Sequence, residues 1–270
     1  MGGVMINSNQ GVVENPMAFT LVATGPDVVP KRLIAVDTGF EGGLSMTGNT
    51  FNHVETVPTV LAKLGYTPAD VDAVVLTHLH FDHAGNFDVF PNAEIFVQKH
   101  EFESWTAVIG AMDDTSIGKR SWKLSSIDVS LIERFEKAVA AGRITLLDGD
   151  KEIAPGITCR LARDSHTFGS QWVEVQTPDG PYVVAGDCVY WYVNIERMWP
   201  PGYVQGNPWN LMRMFEQLRE LVGDDGLDRI VPGHDMQIYA RHPSFTIGEN
   251  PIAEIHLAAG VRSRQKEPVS

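Results

Sequence analysis

Three histidines and an aspartate fall within six residues of the stretch Thr77-His78-Leu79-His80-Phe81-Asp82-His83-Ala84-Gly85. The residues just upstream, Val71-Asp72-Ala73-Val74-Val75-Leu76, are apolar and β-branched, the pattern of a buried strand. A His-x-His loop leaving a strand end can turn two imidazoles to one side. Asp82 and His83 can then open a helix and face a second point nearby. Imidazole and carboxylate are ligands of zinc and of harder divalent metals, and two such points a few ångströms apart make a two-metal hydrolytic site. The plain alternative is a polar, His-rich surface loop. A buried strand running straight into His-x-His-x-Asp-His disfavours it.

One loop cannot fill two coordination spheres, so further ligands are expected at later strand ends. His166 follows the β-like run 157–162, Asp187 follows 182–185, and His234 follows 227–231. Any one of these alone would read as a solvated polar residue in a surface loop, but the repeated placement after a strand reverses that. His53, His100, His242 and His256 lack this context and read as structural or solvated, His256 within a helix-like stretch at 253–259.

The elements that must position these residues follow in order. Runs 17–24 and 32–36 read as a hairpin, followed by a Gly-rich loop at 41–50. Val57, Val60, Leu61 and Leu64 have helical spacing. A strand at 94–97 leads into a helix through about Trp105, and 109–121 reads as an excursion or lid. Ile127, Leu131, Ile132, Phe135 and Val139 mark an amphipathic helix. Strands are expected at 144–147, 157–162, 171–176 and 182–185, with Thr177-Pro178-Asp179-Gly180 as a turn. Met212, Phe215, Leu218 and Leu221 give another helix, and 227–231 the last clear strand. With no linker or repeat, 1–270 reads as one α/β domain of sheets covered by helices.

A net charge of −13 disfavours nucleic acid and anionic membrane as partners, because both would repel the chain. The first 15 residues lack a secretory pattern, no apolar run is long enough to span a bilayer, and Cys159 and Cys188 are far apart. A cytoplasmic protein with buried, reduced cysteines is expected.

Asp37-Thr38-Gly39, His78-x-His80-x-Asp82-His83, His166, Asp187 and His234 resemble the five ordered motifs of the metallo-β-lactamase superfamily, over about three quarters of the chain. The resemblance implies a four-layered αβ/βα sandwich with a dinuclear site at one edge of two packed sheets. It implies His78, His80 and His166 on one metal, Asp82, His83 and His234 on the other, Asp187 bridging, and Asp37 orienting a ligand or the loop. The metals would be two divalent ions, zinc first, with iron, manganese or cobalt as alternatives.

Fold does not name the substrate. β-Lactamases of this fold lack the bridging carboxylate, and flavodiiron proteins carry Glu at the place of His80. Glyoxalase II enzymes need a C-terminal helical region for which the 36 residues after His234 leave little room. The chain is most similar to the N-acyl homoserine lactonase family, whose tyrosine three residues after the bridging Asp is matched by Tyr190. Arg163-Asp164-Ser165 departs from the usual Pro-Gly or Gly-Gly before the third-motif histidine. The resemblance implies attack of a metal-activated hydroxide on a lactone carbonyl, with Asp82, Asp187 and Tyr190 catalytic, and quorum quenching as one setting. Trp191, Tyr192, Met198, Trp199, Tyr203 and Trp209 could line an apolar pocket or pack a core or subunit interface. An apolar or aromatic small molecule is the expected partner, and a homodimer is compatible. Other readings keep the site for a thioester or cyclic amide, or use the fold for binding alone.

Overall fold

The computed structural model describes residues 15–25, 27–40, 55–112 and 126–261. The expected loop at 41–50, His53 and most of the excursion at 109–121 lie outside them. Strands β1 (Thr20–Ala23), β2 (Leu33–Val36), β3 (Ala73–Val75), β4 (Glu94–Gln98) and β5 (Ile144–Leu147) form one sheet in chain order. The hairpin β1–β2 is antiparallel, and β2 to β5 run parallel. The parallel crossovers carry helices α1 (Val57–Lys63), α2 (Phe81–Ala84), α3 (Lys99–Gly110) and α4 (Val129–Ala140).

A second sheet contains β6 (Lys151–Ala154), β7 (Ile157–Arg163), β8 (Gly169–Thr177), β9 (Gly180–Gly186) and β10 (Ile230–Pro232), in the order β10-β9-β8-β7-β6. Its strands are antiparallel except for the parallel pair β9–β10. Helices α5 (Tyr192–Arg197) and α6 (Pro208–Val222) form that crossover, α7 (Ile238–Arg241) follows, and β11 (Ser244–Ile247) and β12 (Asn250–Ala253) make a separate hairpin.

The period-two alternation of strand side chains explains why there are three layers of core rather than one. On β3, Val74 faces outward with Leu61, Leu131 and Phe135 of the covering helices. Its neighbours Ala73 and Val75 face inward, against Cys159, Val173 and Val184 of the second sheet. On β9, Val184 points to that shared core while Val183 and Ala185 point outward, to Leu211, Phe215 and Leu218 of α6. Leu131 and Phe135 are fully buried, each contributing about 1.5–3 kcal/mol. The α4 N-terminus is capped by Asp128, whose carboxylate accepts from Ser130 N, and that of α6 by Asn207, which accepts from Trp209 N beside Pro208.

Three expectations are corrected. Residues 254–258 form no helix, because Ala253 and Ile255, two apart, both pack on the inter-sheet core, a spacing that belongs to extended chain. The last strand of the second sheet starts at Ile230, since Leu227 belongs to a 3-10 turn over Asp224–Arg229. Helix α3 runs on past Trp105 to Gly110. Among the described residues, no helix is long and apolar enough to cross a membrane.

Candidate metal centre

All seven expected ligands meet at the strand ends of one edge. His78 and His80 lie between β3 and α2, Asp82 and His83 lie in α2, His166 joins β7 to β8, Asp187 follows β9, and His234 follows β10. They form two groups, His78, His80, His166 and Asp187 in one, and Asp82, His83 and His234 in the other. Within each group one ligand atom per residue lies within 4.8 Å of the rest. Every one of the seven is buried.

Asp187 divides its two oxygens between the groups. Oδ1 lies 3.0 Å from His83 Nε2 and 2.9 Å from His234 Nε2. Oδ2 lies 3.3 Å from His166 Nε2 and 3.7 Å from His78 Nε2. Asp82 Oδ2 stands 3.6 Å from His83 Nε2 and 3.5 Å from His234 Nε2.

Most of the imidazoles are held through the nitrogen that faces away from the centre. His83 Nδ1 is 2.8 Å from Asp37 Oδ2, and His234 Nδ1 is 2.9 Å from the Pro16 carbonyl. His78 Nδ1 pairs with Thr77 Oγ1 at 3.0 Å. His80 is turned the other way, with Nε2 against Gln205 Oε1 at 2.6 Å and Nδ1 toward the centre. Such partners set ring orientation and tautomer. Asp37 also accepts from Thr77 N and Thr77 Oγ1, at 2.7 and 2.9 Å. To do so it takes a backbone φ of 63°, an uncommon conformation for a residue other than glycine.

Donor chemistry shows that the site fits divalent metal. His78 Nε2 and Asp187 Oδ1 are buried without a hydrogen-bond partner. His83 Nε2 faces His234 Nε2 at 3.3 Å, and His80 Nδ1 faces His166 Nε2 at 3.2 Å. Nitrogen lone pairs brought this close need a cation or a proton between them. Burial, then the neighbouring imidazoles, holds His78 and His80 well below the usual histidine range, which keeps them neutral. Burial pushes His83 and His234 the same way, but Asp187 and Asp82 outweigh it and raise both. Burial would raise Asp187, yet His234 and His83 pull it well below the ordinary carboxylate range. The second group therefore draws positive charge, a demand that a divalent ion meets as a proton does.

The aromatic residues expected to line a pocket separate. Tyr190 packs edge-on between His166 and His234, with ring centroids 5.3 and 5.2 Å away. Tyr203 lies 6.0 Å from His80 and 6.4 Å from His166. Tyr192 is buried in the inter-sheet core, Met198 packs under α6, and Trp199 and Trp209 are exposed. Burial first, then Asp187 and Asp82, raises Tyr190 well above the usual phenol range, so it remains an O–H donor. Of the histidines set aside, His100 pairs with Asp164 and His242 with Tyr192 Oη.

Three neighbours of the site gave little sign in the sequence. Trp105 has its ring 6.1 Å from His80, Gln205 holds His80, and Glu101 is fully buried beside the ligand loops. A Glu and a Trp four apart on the helix after β4 was the one available signal for two of them. Trp105, Val108, Met112, Phe168 and Gln205 line a cavity of about 430 Å³, and Gln205 is also the hydrogen-bond partner of His80.

Known proteins resemble the chain in sequence and in fold. The metallo-beta-lactamase superfamily model matches residues 6–234. An N-acyl homoserine lactonase of a Bacillus sp. is 29% identical over 181 residues, 62% of this chain and 63% of that protein. N-acyl homoserine lactonase AttM of Azorhizobium caulinodans is 30% identical over 190 residues, 67% of this chain and 64% of its own length. The chain thus spans just under two thirds of the length of these relatives. The crystal structure of a B. thuringiensis AiiA mutant with N-decanoyl-L-homoserine bound at its active site aligns with a TM-score of 0.61. That alignment covers 88% of this chain and 87% of the other at 22% identity, and shows a shared fold.

Proposed function

Because the chain belongs to the metallo-beta-lactamase superfamily, we propose that it is a dinuclear metal-dependent hydrolase that opens lactone rings. The observation that carries this reading is the placement of Asp187, one oxygen toward each ligand group. A carboxylate so placed would serve both ions of a two-metal site. His78, His80 and His166 would hold one ion and Asp82, His83 and His234 the other, with zinc the first choice for this donor set. When bound, the two ions supply a hydroxide at neutral pH and a Lewis acid for a carbonyl.

The chain's own residues do the rest. Asp37, Thr77, Gln205 and the Pro16 carbonyl orient the rings of His83, His78, His80 and His234 before substrate arrives, so little reorganisation of these four is left for the reaction. Tyr190, neutral and set between the two groups, donates its O–H to the carbonyl oxygen as negative charge develops there. Asp187, ionised and facing both groups, would take the proton given up by the attacking water and return it to the ring oxygen as that oxygen leaves. Asp82 Oδ2 stands near both His83 and His234 and would complete the second group with them. The apolar cavity bounded by Trp105 and Gln205 suits an acyl or aromatic substituent on the ring, and the relatives named as N-acyl homoserine lactonases support an acylated lactone.

The test is a hydrolysis screen with metal-quantified protein over lactones of differing acyl length, thioesters and cyclic amides. We expect about two ions per chain and the highest kcat/KM on acylated lactones. Metal-loaded protein that cleaves thioesters or cyclic amides but leaves lactones intact would overturn the lactone assignment.

A further inference from the structure

Glu101 sits in the first turn of α3 with no exposed surface, and it takes no part in the chemistry above. Its two oxygens accept four hydrogen bonds. Oε1 takes Leu79 N at 3.1 Å and Trp105 Nε1 at 2.8 Å. Oε2 takes Thr167 Oγ1 at 2.8 Å and Gly169 N at 2.7 Å. Leu79 lies between His78 and His80, and Thr167 follows His166 directly. One carboxylate therefore joins the two loops that carry all three histidines of the first group.

We infer that Glu101 is a positioning residue that sets the spacing of His78, His80 and His166. The inference rests on the two-metal reading. The packing around Glu101 leaves its position little freedom. A Cβ at Gly169 would lie 2.4 Å from Glu101 N, so only a residue without a side chain lets the His166 loop come this close to α3. Trp105 fixes Oε1 from one turn along the same helix. His83 and His234 are oriented differently, by Asp37 and by the Pro16 carbonyl. Loosening Glu101 should thus disturb one metal and spare the other.

The conservative probe is Glu101→Gln. It keeps the shape and turns an NH₂ toward two groups that are themselves donors. Stepwise zinc affinities, from chelator competition, and the visible spectrum of the cobalt-loaded protein would be compared with those of His80→Ala and His234→Ala. The two alanine variants mark loss of the first and second ion. Glu101→Gln should weaken the ion marked by His80→Ala about 10–100-fold, the range for a residue that orients a ligand, and leave the ion marked by His234→Ala within about twofold. A core variant of equal thermal stability, such as Phe135→Leu, should move neither.

Should Glu101→Gln not fold, Thr167→Val and Trp105→Phe each remove one donor and should show a smaller loss at the same ion. Unchanged affinities in the folded variants, or equal loss of both ions, would overturn the inference while the two-metal reading stands. Wild-type protein that takes up fewer than two ions would overturn both.

Discussion

Alanine at position 233 would put a methyl group where the structure has a ligand. A Cβ built on Gly233 lies 2.6 Å from Asp187 Oδ1 and 3.0 Å from the carbonyl carbon and oxygen of Gly186. Ordinary contact begins near 3.4 Å, so the carboxylate oxygen would have to retreat by about 0.8 Å. The backbone of Gly186 blocks the alternative, in which the loop itself moves. Overpacking of this kind costs about 1–3 kcal/mol. Taken from the bound state, that is roughly a 5- to 150-fold loss of metal affinity. Oδ1 is the oxygen that faces His83 and His234, so the second group should suffer first. The first group follows to the extent that the carboxylate rotates as a unit. The assay is chelator-competition titration of Gly233→Ala with zinc, with Gly110→Ala as control, since a Cβ at Gly110 meets nothing within 4 Å. Affinities of both ions within about twofold of wild type would refute the reasoning.

Tyr190→Phe should keep its ring packed against His166 and His234 and keep both metals, yet lower kcat on lactones with KM little changed. One oxyanion donor is worth up to about 10²–10³ in turnover, and a metal sharing the task puts the expected loss at or below the lower end. Kinetics within about twofold of wild type at matched metal content would remove Tyr190 from the chemistry. Cys159 and Cys188 are buried and their thiols are pushed up to about 12, chiefly by burial. At pH 8 both should therefore be thiols and should react with a chromogenic disulfide only after denaturant is added; rapid labelling of native protein would contradict their placement.

The parts of this molecule that sequence alone displays are those whose signal is local. A β-branched run followed at once by His or Asp is visible without knowing what packs on it. His78, His166, Asp187 and His234 all announce themselves this way, and the structure brings them together. Helix α6 was legible because Met212, Phe215, Leu218 and Leu221 stand at helical spacing, although the buried face is centred on Leu211, Met214, Phe215, Leu218 and Val222, with Met212 and Leu221 only partly buried. The short edge strand β6, with burial confined largely to its last two residues, carries too weak an alternation to stand out. Glu101 and Gln205 owe their roles to partners 22 to 125 residues away, a relation that periodicity does not encode. The aromatic run after Asp187 misleads for the same reason. Composition makes Tyr192, Tyr203 and Trp209 look alike, and only the turn of α5 and the loop before α6 send them to the core, the site and the solvent respectively.

The ligands come from both sheets, and this has a consequence for the order of events during synthesis. His78, His80, Asp82 and His83 leave the ribosome before the other ligands, between β3 and β4 of the first sheet. His234, which faces His83, follows 151 positions later. A nascent chain thus displays one open half of the centre until Asp187 and His234 emerge. Closure of the centre belongs to the last long-range contacts formed, which are the slow ones. An ion that arrives early meets exposed imidazoles and can be exchanged, whereas one that arrives after β9 and β10 have paired is enclosed. Choice of metal should then depend on which ion is abundant when the two sheets close, as well as on the donor atoms themselves. Refolding from metal-free denatured protein, with zinc or manganese added at set delays, would time that moment.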